Sequence, residues 1–433
     1  MSAFPARWDQ RGARIVGALV LVASVLAVAG IARTVSLPHG LAQPYVATAF
    51  LVFISIGEFI RVTLPGDRES APLGLAGALG YALLTEFGPT TLATQGFGQV
   101  IAVTVTGILI GALPHLAAGR PPQVDAVSRR IIVVSAVAIG FRATGLHDFV
   151  ASLPMDSRWA AAGVMVALVV LGMALDTALA TSVVVAGEHA PFGVALRDEA
   201  RAMVGLGSAV GATGVLIALS AAIMGVWSLP VLAMPLFLTQ FSFRRYSGIR
   251  QTYLETIRSL SRVTDVGGYT ETGHGRRVSE LSVAVARELG MPETGLRELE
   301  YAALLHDIGQ LSLSEPIPRG ATLMVPPSEQ RRIAGLGAQV IREAGVLDRV
   351  AEIVEKQAEP YRQGHTPDDP SIPLSSRIIR VVNAYDDMVA GSLEFARRMD
   401  ALEHLRMGLA AEYDPKVVDR LSHVVQRYSR MGV

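Results

Sequence analysis

His306 and Asp307 stand side by side in YAALLHDIGQLSL, residues 301–313, and His274 lies 32 residues upstream in GHGRRVSEL. Imidazole nitrogens and carboxylate oxygens suit divalent iron, manganese or zinc. Three such ligands can hold one ion while leaving a position open for water or substrate. A single buried histidine is more often a hydrogen-bonded core residue, and adjacent His-Asp pairs are common by chance. The elements that carry these residues therefore decide the matter.

The glycine-rich break DVGGYTETGH, residues 265–274, predicts a helix starting at about His274. Val278, Leu281, Val285 and Leu289 form its apolar face, and Gly290 followed by Pro292 stops it. The next helix carries Leu296, Leu299, Ala303 and then His306 on one stripe, so His306 points inward. In a continuing helix Asp307 is turned about 100° away from it. Both reach a shared interior point only if another helix supplies the rest of the shell, and the helix from His274 is the candidate.

LLHDIG and GHGRRVSEL together resemble the HD superfamily of metal-dependent phosphohydrolases, in its HD-GYP branch. The resemblance spans roughly 250–425 and includes TYLETIRSLSRV, RIIRVVNAYDDMV and DALEHLRMGLAAEYDPKVVDRL. It implies an all-helical domain with a centre of two or three metals that hydrolyses cyclic di-GMP. Bridged metals lower the pKa of a bound water and stabilise charge on the attacking and leaving oxygens. His274, His306 and Asp307 match metal ligands of the family, and Asp307, its usual bridging group, is the catalytic candidate.

Elsewhere the chain departs from the pattern. Gln310 stands where the family has the lysine after HDIG, Ile333 where it has a histidine, Gln357 and Ala358 where it has paired histidines, and Asn383 where it has a late aspartate. The GYP triplet reads His365, Thr366, Pro367. Three of seven ligands remain. Glu359, His365, Asp386 and Asp387 are close enough in sequence to compensate, or else serve as solvated surface, caps and salt bridges. Two readings follow: a regulatory or binding module with lost or reduced phosphodiesterase activity, or an active phosphohydrolase with a reduced site acting on cyclic di-GMP or another phosphoester. The cofactor is accordingly one divalent metal (iron, manganese or zinc) or none.

The rest of the 433-residue chain sets the context. With no cysteine, disulfides and thiolate chemistry are excluded, and a net charge of zero gives no electrostatic case for nucleic acid. The mean hydropathy of +0.40 is concentrated between Ile15 and Phe243. About 20 apolar helical residues cross a bilayer, and eight segments qualify: 15–33, 42–60, 72–88, 97–117, 131–149, 159–185, 202–224 and 227–243. With the N-terminus inside, most arginines fall on the inner side and only Arg33, Arg142 and Arg158 outside. The positive-inside rule then places both ends in the cytoplasm.

The expected fold class is all-α: a polytopic bundle of about eight spans over 1–243, a connecting signalling helix over 244–265, and an all-helical HD-type domain over 266–433. The expected location is the cell membrane. Asp176, Glu58 and Glu86 are acids at or near membrane depth, either functional or bonded within the bundle. Small residues over 204–222 suit close helix packing, and no matched pair of interrupted helices points to a transporter. In the connecting helix Ile249, Tyr253, Ile257 and Leu260 recur at helical spacing. This stripe over 247–263 pairs with a second copy or packs on its own domain. Expected partners are the lipid bilayer and a cyclic dinucleotide or protein.

Overall fold

Helix follows helix through nearly the whole chain. The computed structural model describes residues 10–36, 41–64, 68–89, 91–154, 157–188, 190–317, 325–343, 345, 347–362, 371–392 and 394–430. Among these, the strands are Val62–Leu64 (β1) and Arg68–Ser70 (β2), paired antiparallel. Contacts divide the chain into two compact units. One runs to Gly187 and includes Ala195–Gly248; the other comprises Glu188–Val194 and residues from Ile249 onward.

The first unit is a bundle of apolar helices: α1 (Gln10–Val35), α2 (Pro44–Phe59), α3 (Pro72–Leu83), α4 (Phe97–Ala117), α5 (Val124–Arg142), α6 (Leu146–Ala151), α7 (Arg158–Glu188), α8 (Phe192–Ala202), α9 (Ser208–Met224) and the start of α10 (Ser228–Val266). Among the described residues, four helical stretches are long and apolar enough to cross a membrane: Gly12–Val35, Phe97–Ala117, Arg158–Gly187 and Phe192–Val266. The last contains both segments expected at 202–224 and 227–243. The segments 42–60 and 72–88 fall on the shorter apolar helices α2 and α3. The segment 131–149 is divided, because α5 ends at Arg142 and Gly145, at φ 80°, separates it from α6.

α3 is a short helix at the centre of this unit, at about 1.5 Å per residue roughly 18 Å long and buried along almost its whole length. The last carbonyls of a helix lack intrahelical partners and are costly to leave unpaired in apolar surroundings. Arg142 supplies the donors, bonding the carbonyl oxygens of Ala82 at 3.0 Å, Leu84 at 2.7 Å and Gln95 at 2.7 Å. Each acid singled out from the sequence closes an ion pair. Glu58 forks onto Arg130 at 2.5 and 3.0 Å, Asp176 meets Arg129 at 2.7 Å, and Glu86 meets Arg158 at 3.2 Å. Asp176 thus takes the bonded-within-the-bundle alternative. In the small-residue stretch, a Cβ on Gly214 would lie 3.1 Å from the Ala76 carbonyl oxygen, the close packing of α9 on α3 that such residues permit.

The second unit contains the end of α10 and α11 (His274–Glu288), α12 (Glu293–Leu305), α13 (Pro327–Glu343), α14 (Asp348–Lys356), α15 (Leu374–Val389), α16 (Phe395–Met407) and α17 (Pro415–Arg430). Val278 and Val285 from α11, Leu299 and Ala303 from α12, Ile353 from α14, Ile378 and Val382 from α15, and Leu421 from α17 share one core. The α10 stripe is split: Ile257 is buried in this core, while Ile249, Tyr253 and Leu260 are exposed.

Candidate metal centre

Two local features set His274 at the first turn of α11. Gly273 adopts φ 79°, a left-handed conformation that glycine takes without steric cost. Its N–H donates to Asp265 Oδ2 at 2.8 Å, and Thr270 Oγ1 donates to Asp265 Oδ1 at 2.8 Å. The carboxylate thus ties the loop to the end of α10 and fixes where the next helix begins.

The second pair of candidates sits at a helix end. α12 stops at Leu305; His306 caps it, and Asp307 turns off the helix at φ −98°, ψ 4° into a 3₁₀ turn over Ile308–Ser312. The 100° separation expected from a continuing helix therefore does not apply, and both side chains face one point. Gly309 lets α13 approach this turn, since a Cβ there would lie 2.0 Å from the Ile333 carbonyl oxygen. No side chain larger than hydrogen fits.

Three ligand atoms converge. His274 Nε2 and His306 Nε2 are 3.3 Å apart, and Asp307 Oδ2 lies 3.3 Å from the first and 3.1 Å from the second. The opposite nitrogens are occupied: His274 Nδ1 donates to Asp386 Oδ2 at 2.8 Å, and His306 Nδ1 to the Ala303 carbonyl at 2.8 Å. In the neutral rings this leaves a lone pair on each Nε2, directed at the carboxylate and at each other. Three acceptors this close repel unless a proton or a cation lies between them. An ion about 2.1 Å from each would subtend ligand angles of roughly 95–105°, within the range divalent metals accept. All three residues are buried, and together they could hold a metal ion.

The electrostatics agree with that geometry. Burial alone would lower the His274 pKa, but Asp307 and Asp386 raise it well above its ordinary 6.5. His306 is likewise raised, chiefly by Asp307 acting against burial. Burial would raise Asp307, yet the two imidazoles hold it far below the usual carboxylate range. Without a metal, protons fill the position between the ligands.

A supporting shell surrounds the three. Asp386 takes bonds from Arg277 at 2.9 Å (Nε to Oδ1) and 2.8 Å (Nη2 to Oδ2), so the carboxylate that orients His274 is itself anchored. Such outer partners fix a ligand's tautomer and direction. Asp386 is thus a positioning residue instead of a replacement ligand. Asn383 Oδ1 lies 3.2 Å from His306 Nε2, on the site side of α15. Gln357 donates to the His306 carbonyl at 2.8 Å, and with Ile333 and Ala358 it lines the small cleft beside His306 and Asp307. Gln310 is fully buried, and Glu359 is partly exposed; neither lines the cleft. His365, Thr366 and Pro367 lie outside the described residues.

Sequence reasoning missed two arginines, Arg277 and Arg380. Arg277 follows His274 by three residues, a spacing that places both on neighbouring helical positions. Arg380, three residues before Asn383 on α15, lines the cleft and brings a guanidinium to its wall. It donates to the Ala358 carbonyl at 2.9 Å and pairs with Glu412. The cleft encloses about 50 Å³, against roughly 300–1,000 Å³ for pockets that bury a drug-sized ligand.

The family model described as HD domain matches residues 268–417. Two curated relatives are similar over the same half. A cyclic di-GMP phosphodiesterase of Thermotoga maritima is 27% identical over 155 residues, covering 34% of this chain and 41% of its own length. The cyclic di-GMP phosphodiesterase response regulator RpfG of Xanthomonas campestris pv. campestris is 27% identical over 178 residues, covering 39% and 47%. This chain thus spans less than half the length of either relative. The matched segment contains His274, His306 and Asp307 and the helices that orient them, and residues 268–417 match an HD domain.

Proposed function

We propose that this chain is a membrane-anchored signalling protein whose HD-GYP-like domain binds one divalent metal through His274, His306 and Asp307 and acts as a regulatory or binding module with lost or reduced phosphodiesterase activity. The observation that carries this reading is the contrast inside one site. Three ligands converge within 3.3 Å with their outer partners in place, while the positions of the other family ligands hold Ile333, Gln357, Ala358 and Asn383, none of them charged.

A bound metal would supply an electrophile for phosphate oxygens and a lowered pKa for a coordinated water. Asp307, lowered far below neutrality, stays ionised as a ligand. Asp386 holds His274 in the tautomer that offers Nε2. Arg380 at the cleft wall offers a positive charge to a phosphate group, and the small enclosed volume keeps a cyclic dinucleotide at the mouth. Long apolar helices in the other unit support membrane anchoring, with the inner-side excess of arginine favouring a cytoplasmic HD domain.

The second reading, an active phosphohydrolase acting on cyclic di-GMP or another phosphoester, is favoured by the completeness of the triad and by Arg380 beside it. The test is a paired measurement on the full chain in detergent with manganese or iron added. Binding of cyclic di-GMP with turnover below about 10⁻³ s⁻¹, some 10³-fold under the lower end of ordinary enzyme rates of roughly 1–10³ s⁻¹, supports the module. Turnover within that ordinary range, abolished in Asp307→Ala, overturns it in favour of the enzyme.

A further inference from the structure

Asp387 is a half-buried carboxyl on α15, near the triad, that nothing described so far uses. It follows Asn383 by four residues on α15, one helical turn, so the two share a face. Asn383 Oδ1 is 3.2 Å from His306 Nε2, and that face is therefore turned toward the ligands. Asp386 points to His274 and Arg277, whereas Asp387 Oδ2 is closed off from solvent and has no hydrogen-bond partner among the described residues. Of the charged groups that act on it, the positive ones are His274 and His306, and the negative ones are Asp307 and Asp386. A carboxylate oxygen closed off from water without a donor is costly. Here burial and the two neighbouring carboxylates outweigh the imidazoles and push it up to about 7. A cation in the triad would remove that cost and give the free oxygen a partner.

We propose that Asp387 supplies, one turn further along α15, the negative charge that Asn383 lacks: from its place outside the three converging atoms its side chain turns inward when a divalent cation is held by His274, His306 and Asp307, and serves as a fourth, carboxylate ligand on the α15 side. This rests on the metal-site reading above. A shell of two nitrogens and two carboxylate oxygens suits manganese, iron or zinc. The alternative role, a neutral buried acid that only fills space, makes a different demand, because asparagine would serve it equally well.

The experiment titrates Mn2+ into the chelator-stripped full chain in detergent by calorimetry, and follows the HD-domain melting transition with and without the ion. Wild type, Asp387→Asn, Asp387→Ala and His306→Ala are compared. Wild type is expected to bind one equivalent, and both Asp387 variants to bind about 10–100-fold more weakly, a loss at least that of an outer-shell partner. Their metal-free melting temperatures stay at or above the wild-type value, since an unpartnered carboxyl has been removed, while the rise on adding Mn2+ shrinks. Affinity within twofold of wild type in a folded Asp387 variant overturns the assignment and leaves the triad intact. Variants that fail to fold without metal also overturn it. Wild type that binds no Mn2+, like His306→Ala, overturns both this assignment and the metal site beneath it.

Discussion

Two imidazoles and a carboxylate pressed within 3.3 Å of one another need positive charge between them, and in the metal-free protein that charge is protonic. The sign of the pH dependence follows. His274 and His306 are raised above their ordinary 6.5, so the stability they contribute is present below about 6.5 and lost as pH rises through their folded values. Asp387, raised from 3.8 to about 7, likewise contributes below about 3.8 and loses that contribution progressively up to about 7. Asp307 and Asp386 are lowered, and their contribution is lost only as the medium becomes strongly acid. The metal-free HD domain is therefore expected to melt at lower temperature at pH 8 than at pH 5. Metal binding displaces the protons, so the rise in melting temperature with saturating Mn2+ is expected to be larger at pH 8. Calorimetric scans of the chelated and loaded protein check this; a metal-free melting temperature that is flat or rising from pH 5 to 8 would contradict it.

The elements that aim these side chains were partly legible in the sequence. The start of α11 at His274 and its stop before Gly290 follow from glycine, proline and apolar spacing, and both appear. The convergence of His306 and Asp307 was not legible in periodicity, which assumes a helix that continues, whereas α12 stops at Leu305, just before both. The turn that follows it is met by a tertiary contact, the approach of α13 to Gly309. Gly309→Ala places a methyl against backbone atoms that no rotamer change can move aside. It is expected to destabilise the domain by about 1–3 kcal/mol or more and to lower the HD-domain melting temperature by several degrees. An unchanged transition would show that the turn is not pinned as described. Arg277 and Arg380 were missed for a related reason: their partners lie far along the chain, Asp386 on another helix and the carbonyl of Ala358 in the turn after α14.

At the scale of the whole molecule, two kinds of amphipathicity separate two kinds of unit. Apolar residues run along most helices of the first unit, α8 excepted, so composition alone marked it, and Glu58, Asp176 and Glu86 are paired with arginines that the sequence could not match to them. Apolar residues follow one face in the second unit, whose family was readable from HDIG and the histidine upstream. Fold alone does not decide activity here: His274, His306 and Asp307 converge on one point, whereas Ile333, Gln357, Ala358 and Asn383 are uncharged. Elemental analysis of the full chain, purified in detergent without chelator and then offered Mn2+, Fe2+ or Zn2+, tests the metal centre most directly. About one equivalent of a divalent transition metal per chain is expected in the wild type, with almost none in His306→Ala. A wild-type protein that retains no metal after exposure to all three ions would contradict it.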